Sequence, residues 1–214
     1  MVAHSRRSRP GLEFEVLLQR QGLRLIAGAD EVGRGSWAGP LVAAAVVLPL
    51  ENPGHMAALR DVTDSKELTP DERQELFREI RNRALAIGLG WSSHHLIDRD
   101  GLGKANRRAL LQAVLRLQPA ADALLVDHFR LPECMLPQIS VTKGDALSLS
   151  IAASSIVAKV VRDRWMQTCE RRIPGYGFGA HKGYGTLRHR QALAALGPSR
   201  IHRVSFRPIA SLDA

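Results

Sequence analysis

The run Leu23-Arg24-Leu25-Ile26-Ala27-Gly28-Ala29-Asp30-Glu31, answered by Leu41-Val42-Ala43-Ala44-Ala45-Val46-Val47-Leu48, decides the fold class. Both stretches are apolar and bounded by Gly, Pro or polar residues, so each reads as a strand, the first from Leu23 to Asp30 and the second from Leu41 to Leu48. Ala84 to Ser92 is a third strand candidate, and Ala123 to Asp127 and Gln138 to Thr142 are two shorter ones. Helical patterns alternate with these. Leu12, Phe14, Val16, Leu17 and Leu18 mark a short helix stopped by Gly22. Thr69 and Pro70 suit the cap and first turn of a helix carrying Leu76, Phe77 and Ile80. Lys104 to Leu117 shows one apolar stripe, and Asp145 to Arg171 reads as one long helix. Strands first, then strands alternating with helices, predict an α/β fold: a mixed sheet with an antiparallel hairpin portion and parallel additions packed by helices.

The chain has 214 residues, 45% of them hydrophobic and 24% charged, enough to bury a core without disulfide or metal staples. Residues 1–10 read as a flexible basic arm and 11–214 as one domain. The longest apolar stretch, Leu41 to Leu50, is about half the roughly 20 residues that cross a bilayer, and Pro49 interrupts it. Arg6, Arg7 and Arg9 are not followed by a secretory apolar block, so a cytoplasmic protein with no membrane partner is expected. Cys134 and Cys169 lack C-x-x-C spacing and are expected to be buried thiols, not a disulfide, zinc or redox pair. A net charge of +9 favours a polyanionic partner, and only 5% aromatic residues make phosphate contacts its main grip.

Two apolar strands end in acid: Asp30 and Glu31 close one, Asp127 the other. The carboxyl edge of parallel strands is the usual ligand crevice of such sheets. Two carboxylates about 4 Å apart repel by roughly 4 kcal/mol at an effective dielectric of about 20, so convergence calls for protons or a cation. Acids without clustered Cys or His favour a hard ion, Mg2+ or Mn2+, and a pair of such ions suits phosphodiester hydrolysis. Each acid also has a plainer role as turn former or helix cap, Asp145 included. Side chains alternate on a strand, so Asp30 and Glu31 share one site only if the strand ends or bulges between them.

Gly33-Arg34-Gly35 forms either a tight turn or a strip of backbone that a ligand approaches closely, with Arg34 on phosphate. Neither it nor Gly101-Leu102-Gly103-Lys104 has the spacing of a P-loop. Asp64-Ser65-Lys66, Lys143-Gly144-Asp145 and the Gly-, His- and Tyr-rich stretch around Tyr184 place cations and hydroxyls beside small residues. Residues 176 to 184 lack a period and read as an ordered loop. His94 and His95 would point apart on a strand and are read as surface or packing residues.

Gly28-Ala29-Asp30-Glu31-Val32-Gly33-Arg34-Gly35 with Ala38-Gly39-Pro40 and the apolar strand after it resembles the opening of bacterial ribonuclease HII. Asp64-Ser65-Lys66 with Leu68-Thr69, Val126-Asp127, Lys143-Gly144-Asp145, Ser150 to Lys159 with Arg162-Asp163, Gly183-Tyr184-Gly185-Thr186 and His202-Arg203-Val204-Ser205-Phe206 resemble the later motifs of that family, in order. One departure is His128, where the family pattern has glycine. The extra N-terminal domain of ribonuclease HIII is not expected.

The resemblance implies a ribonuclease H-like fold with a five-stranded mixed sheet flanked by helices and a small helical C-terminal part. It implies endonucleolytic cutting of RNA in RNA/DNA hybrids and 5′ of single ribonucleotides embedded in duplex DNA, leaving 3′-hydroxyl and 5′-phosphate ends. Asp30, Glu31, Asp127 and Asp145 would hold two Mg2+ or Mn2+ ions. Gly33, Arg34 and Gly35 would sense the 2′-hydroxyl, and Tyr184 would pack on the neighbouring nucleotide. Ser65, Lys66 and Lys143 are read, from their cations and hydroxyls beside small residues, as substrate-binding residues that cradle phosphate. A monomer is expected, and no sliding-clamp peptide is recognisable after Ser199. Two other readings stay open here: a non-catalytic nucleic-acid binder, and the same fold acting on DNA junctions.

Overall fold

A computed structural model describes residues 9–210. The elements run α1 (Glu13–Gln19), β1 (Ile26–Val32), β2 (Leu41–Val47), α2 (Pro53–Ala58), α3 (Pro70–Arg83), β3 (Ala86–Ser92), α4 (His94–Asp100), α5 (Leu102–Leu115), β4 (Ala123–Asp127) and β5 (Gln138–Val141). They continue with α6 (Gly144–Leu147), α7 (Leu149–Arg172), α8 (Phe178–His181), α9 (Leu187–Leu196) and α10 (Arg207–Ala210). The sheet order is β3-β2-β1-β4-β5. β1 pairs antiparallel with β2 and β2 with β3, whereas β4 lies parallel to β1 and β5 parallel to β4. The expected mixed sheet is therefore present, with β1 at its centre.

Both faces of the sheet are covered. Ala27, Ala29, Leu41, Ala43, Ala45 and Val47 pack with Ala105, Ala109, Leu110 and Ala113 of α5. Ala44 and Val46 pack on the other side with Phe77 and Ile80 of α3 and Ile156, Val157 and Val160 of α7. Small residues let the helices ride close to the sheet. At Gly28 a Cβ would fall 2.1 Å from the Ser150 carbonyl carbon, so any side chain there would lift α7 off β1 two residues before Asp30.

The start of α3 forms as expected: the Thr69 hydroxyl accepts from the Glu72 N–H, the Glu72 carboxylate accepts from the Thr69 N–H, and Pro70 takes the first turn. Four readings change. The helix expected from Asp145 to Arg171 is two helices, because Ser148 is extended and its hydroxyl caps α7 by accepting from the Ile151 N–H. Buried Glu15 secures that break, accepting from the Ser148 hydroxyl at 2.7 Å and the Ser150 N–H at 3.0 Å. β1 starts at Ile26 and continues past Asp30 to Val32. His94 and His95 open α4, not a strand, since Ser93 caps a helix there, and their rings lie 3.9 Å apart. The loop expected from 176 to 184 contains the single turn α8.

Of the expected basic arm, residues 1–8 lie outside the described residues. Arg9 pairs with Asp61 at 3.1 Å, and Pro10 is buried. Both cysteines are free thiols, Cys169 buried and Cys134 only partly so. Among the described residues no helix is long and apolar enough to cross a membrane.

Candidate active site

Parallel pairing puts Ala29 opposite Val126, so Asp30 and Asp127 stand side by side at the carboxyl ends of β1 and β4. Alternation places both on the sheet face that carries Ile26 and Leu125 beneath the start of α7. Asp145 arrives from the other direction. The Gly144 N–H donates to Asp127 Oδ1 at 2.7 Å, which docks α6 onto the end of β4 and carries Asp145 with it. Asp30 and Asp145 are buried at 6% and 5% exposure. Burial, then the charges of Glu31, Asp127 and Asp145, hold the Asp30 carboxyl well above the usual carboxylate range. Asp127 is also raised, by burial and by Asp145, against the pull of the Gly144 N–H.

Glu31 sits differently. β1 neither ends nor bulges between the two acids: Asp30 pairs with Ala44, Glu31 with Ala43 and Val32 with Val42. Glu31 therefore shares the α5 side of the sheet with Ala29. Burial pushes its carboxyl up to about 7, with Arg34 pulling it down and Asp127 adding to the rise. Arg34 Nε lies 3.7 Å from Glu31 Oε1, and the Arg34 guanidinium lies 4.4 Å from the centre of the Phe129 ring. Glu31 Oε2 is buried without a hydrogen-bond partner, and so are both amide atoms of Asn106 on α5. Sequence reading did not find Asn106; a lone amide on the apolar stripe of a predicted helix was the available signal.

The remaining residues frame these acids. Lys66 Nζ donates to Asp145 Oδ2 at 2.6 Å, and Asp64 Oδ1 accepts from the Lys66 N–H at 2.9 Å. Ser65 is buried beneath, its carbonyl accepting from Arg73 of α3. Lys143 is exposed before α6, with φ 57°. His128 holds, at φ 58°, the left-handed turn that the expected glycine would suit. Gly33 is left-handed at φ 92°, and a Cβ on it would fall 2.2 Å from Arg162 Nε. Gly35 is exposed, and a Cβ on it would meet nothing within 4 Å. The chain's own packing therefore explains Gly33, whereas Gly35 has a reason to be small only toward something that approaches from outside. Tyr184 is half-buried on the far side of this loop, with the Arg162 guanidinium 5.5 Å from its ring centre.

Among the described residues no group of three or more His, Cys, Asp or Glu is arranged to hold a metal ion as it stands. The donor set nevertheless fits a hard cation. One oxygen of each acid is engaged by the chain: Asp30 Oδ1 by the Glu31 N–H, Asp127 Oδ1 by the Gly144 N–H and Asp145 Oδ2 by Lys66. Four clustered carboxylates with an orphaned Glu31 oxygen are short of cationic charge, since among the described residues only Lys66, at Asp145, and Arg34, at Glu31, form ion pairs that offset them.

A five-stranded mixed sheet in the order β3-β2-β1-β4-β5, flanked by helices, places the chain among proteins of ribonuclease H-like fold. The family described as Ribonuclease HII matches residues 27–209. The Ribonuclease HII of Herpetosiphon aurantiacus is 50% identical over 201 residues, 94% of this chain and 97% of its own. The ribonuclease HII of Archaeoglobus fulgidus, solved in complex with PCNA, superposes with a TM-score of 0.72 at 26% identity, covering 85% of this chain and 95% of that one. The Bst ribonuclease HIII, solved in complex with Mn2+, gives 0.69 at 22% identity over 91% and 71% of the two chains. The chain belongs to the ribonuclease HII family and is a metal-dependent ribonuclease.

Proposed function

We propose that this ribonuclease hydrolyses RNA paired with DNA and cuts 5′ of single ribonucleotides embedded in duplex DNA, leaving 3′-hydroxyl and 5′-phosphate ends, as a cytoplasmic monomer. The reading rests on one observation above all: Asp30, buried two residues before the end of the central strand, lies beside Asp127 of the neighbouring parallel strand and within the field of Asp145 of α6. Asp30, Asp127 and Asp145 would hold two Mg2+ or Mn2+ ions, with Glu31 completing the set from the opposite face of β1. Such ions, when bound, activate the attacking water and stabilise the leaving 3′-oxygen.

The chain's own residues do the rest. The Gly144 N–H and the Glu31 N–H fix the Asp127 and Asp30 carboxylates before substrate arrives, so little reorganisation is left for the reaction. The Gly33-Arg34-Gly35 backbone reads the 2′-hydroxyl that separates RNA from DNA, and Gly35 lets the sugar come close. Arg34, backed by Phe129, meets phosphate together with Lys66, Ser65 and Lys143. Tyr184 packs on the nucleotide beside the scissile position.

Cleavage of three duplexes in Mg2+ and in Mn2+ tests this: an RNA/DNA hybrid, DNA with one ribonucleotide, and DNA alone. Products from the first two and none from the third are expected. Equal cutting of the all-DNA duplex, or no product from any, refutes the reading.

A further inference from the structure

Arg162 and Arg203 are both at 0% exposure, yet among the described residues no ion pair joins either to a carboxylate. Buried cations without a counter-charge are costly unless every donor is satisfied. Here carbonyl oxygens and one serine hydroxyl take the place of a carboxylate. Arg162, in the middle of α7, donates to the carbonyls of Pro40 at 2.9 Å, Ala38 at 3.1 Å and Lys182 at 2.9 Å, and to the Ser36 hydroxyl at 2.7 Å. Ser36 passes the contact on, donating to the Gly33 carbonyl at 2.8 Å. Arg203 donates to the Arg34 carbonyl at 2.8 Å and twice to that of Gly39, at 3.1 and 3.0 Å.

These bonds converge on one feature. The loop from Gly33 to Pro40 is gripped by α7 on one side and by the C-terminal part on the other. The segment before Tyr184 is tied to the same hub, through the Lys182 carbonyl on Arg162 and through the Trp37 N–H, which donates to the Gly183 carbonyl at 2.8 Å. Close packing leaves no slack: a Cβ on Gly183 would fall 2.5 Å from the Ala38 oxygen. A lysine cannot replace such a fork, because one ammonium does not reach four acceptors spread over a plane.

We infer that Arg162 and Arg203 are positioning residues that fix the spacing between the Gly33-Arg34-Gly35 loop and Tyr184, and thereby the register in which a ribonucleotide is recognised. The inference rests on the roles proposed above for that loop and for Tyr184. A duplex with one ribonucleotide offers a single productive register, so it depends on this spacing. A hybrid offers a 2′-hydroxyl at every step, so a loosened sensor still finds one.

The test compares wild type with Arg162→Lys, Arg203→Lys and Ser36→Ala, measuring kcat and KM on both ribonucleotide-containing duplexes in Mn2+, with thermal melts as the folding control. Each variant should lose about tenfold more kcat/KM on the single-ribonucleotide duplex than on the hybrid, the worth of one charge-assisted hydrogen bond. The loss should fall in kcat, since the phosphate contacts that set KM remain. A wild-type protein that cuts neither duplex refutes the proposed function. A wild type that cuts both, beside folded variants that keep its substrate ratio, overturns the positioning role alone. If Arg162→Lys does not fold, Ser36→Ala decides by the same ratio.

Discussion

The ammonium of Lys66 lies 2.6 Å from Asp145 Oδ2 and 3.5 Å from Asp64 Oδ1, so a side chain from the loop before α3 already holds part of the charge that a metal ion would hold. The lysine is largely exposed, so a divalent ion held by Asp145 would displace it from that carboxylate. Lys66→Met should therefore bind Mn2+ about two- to fivefold more tightly without nucleic acid, the range of one exposed ion pair. Calorimetric titration reads this directly, and unchanged or weaker affinity would show that Lys66 does not compete. Cleavage by the same variant should fall.

Asp30 sits under the repulsion of three other acids. Asp30→Asn removes a carboxyl that burial and its acidic neighbours make costly, so the metal-free variant should melt higher than wild type, by about 2 to 4 °C per kcal/mol released in a chain of this size. Adding Mn2+ should raise the wild-type melting temperature and leave the variant nearly unmoved. Cleavage by the variant should drop to background, as should that of wild type after chelation.

Gly33 and Gly35 should respond differently to alanine. Gly35→Ala meets open space and should melt as wild type while losing cleavage at single ribonucleotides. Gly33→Ala forces a left-handed alanine against Arg162, at a cost of about 1 to 3 kcal/mol, and should lose stability as well. Melting curves beside cleavage rates separate the two.

The buried imidazoles of His189 and His202 approach with their Nε2 atoms 3.0 Å apart. His202 Nδ1 accepts from the Ser199 N–H and His189 Nδ1 donates to the Tyr184 carbonyl, so the one consistent neutral assignment has His202 Nε2 donating to His189. Burial brings both down to about 4, helped by His181 at His189 and by His189, His181 and His94 at His202. Unfolded histidine binds protons near pH 6.5, so between that value and 4 the unfolded chain holds more protons and stability falls as pH falls. The raised acids act in the opposite direction over part of this range, so the difference between wild type and His202→Gln isolates the effect. That difference should shrink by about 1 to 2 kcal/mol between pH 7 and pH 5, read from denaturant melts.

Much of this molecule was legible in local pattern. Alternation and apolar runs located all five strands, Thr69-Pro70 marked the start of α3, and acids at two strand ends pointed to the crevice. These signals are local because backbone geometry repeats over a few residues. The break at Ser148 escaped because Glu15, 133 positions earlier in the chain, captures that serine and helps hold the break.

Residue types and order were enough to set the sheet and the family of this chain. Only folding decided that Glu31 lies across the strand from Asp30, that Lys66 faces Asp145 from 79 positions away, and that Arg203 holds a carbonyl 169 positions distant. The reason is physical: periodicity encodes which face of an element is buried, whereas hydrogen bonds between remote side chains form only once packing brings those faces together.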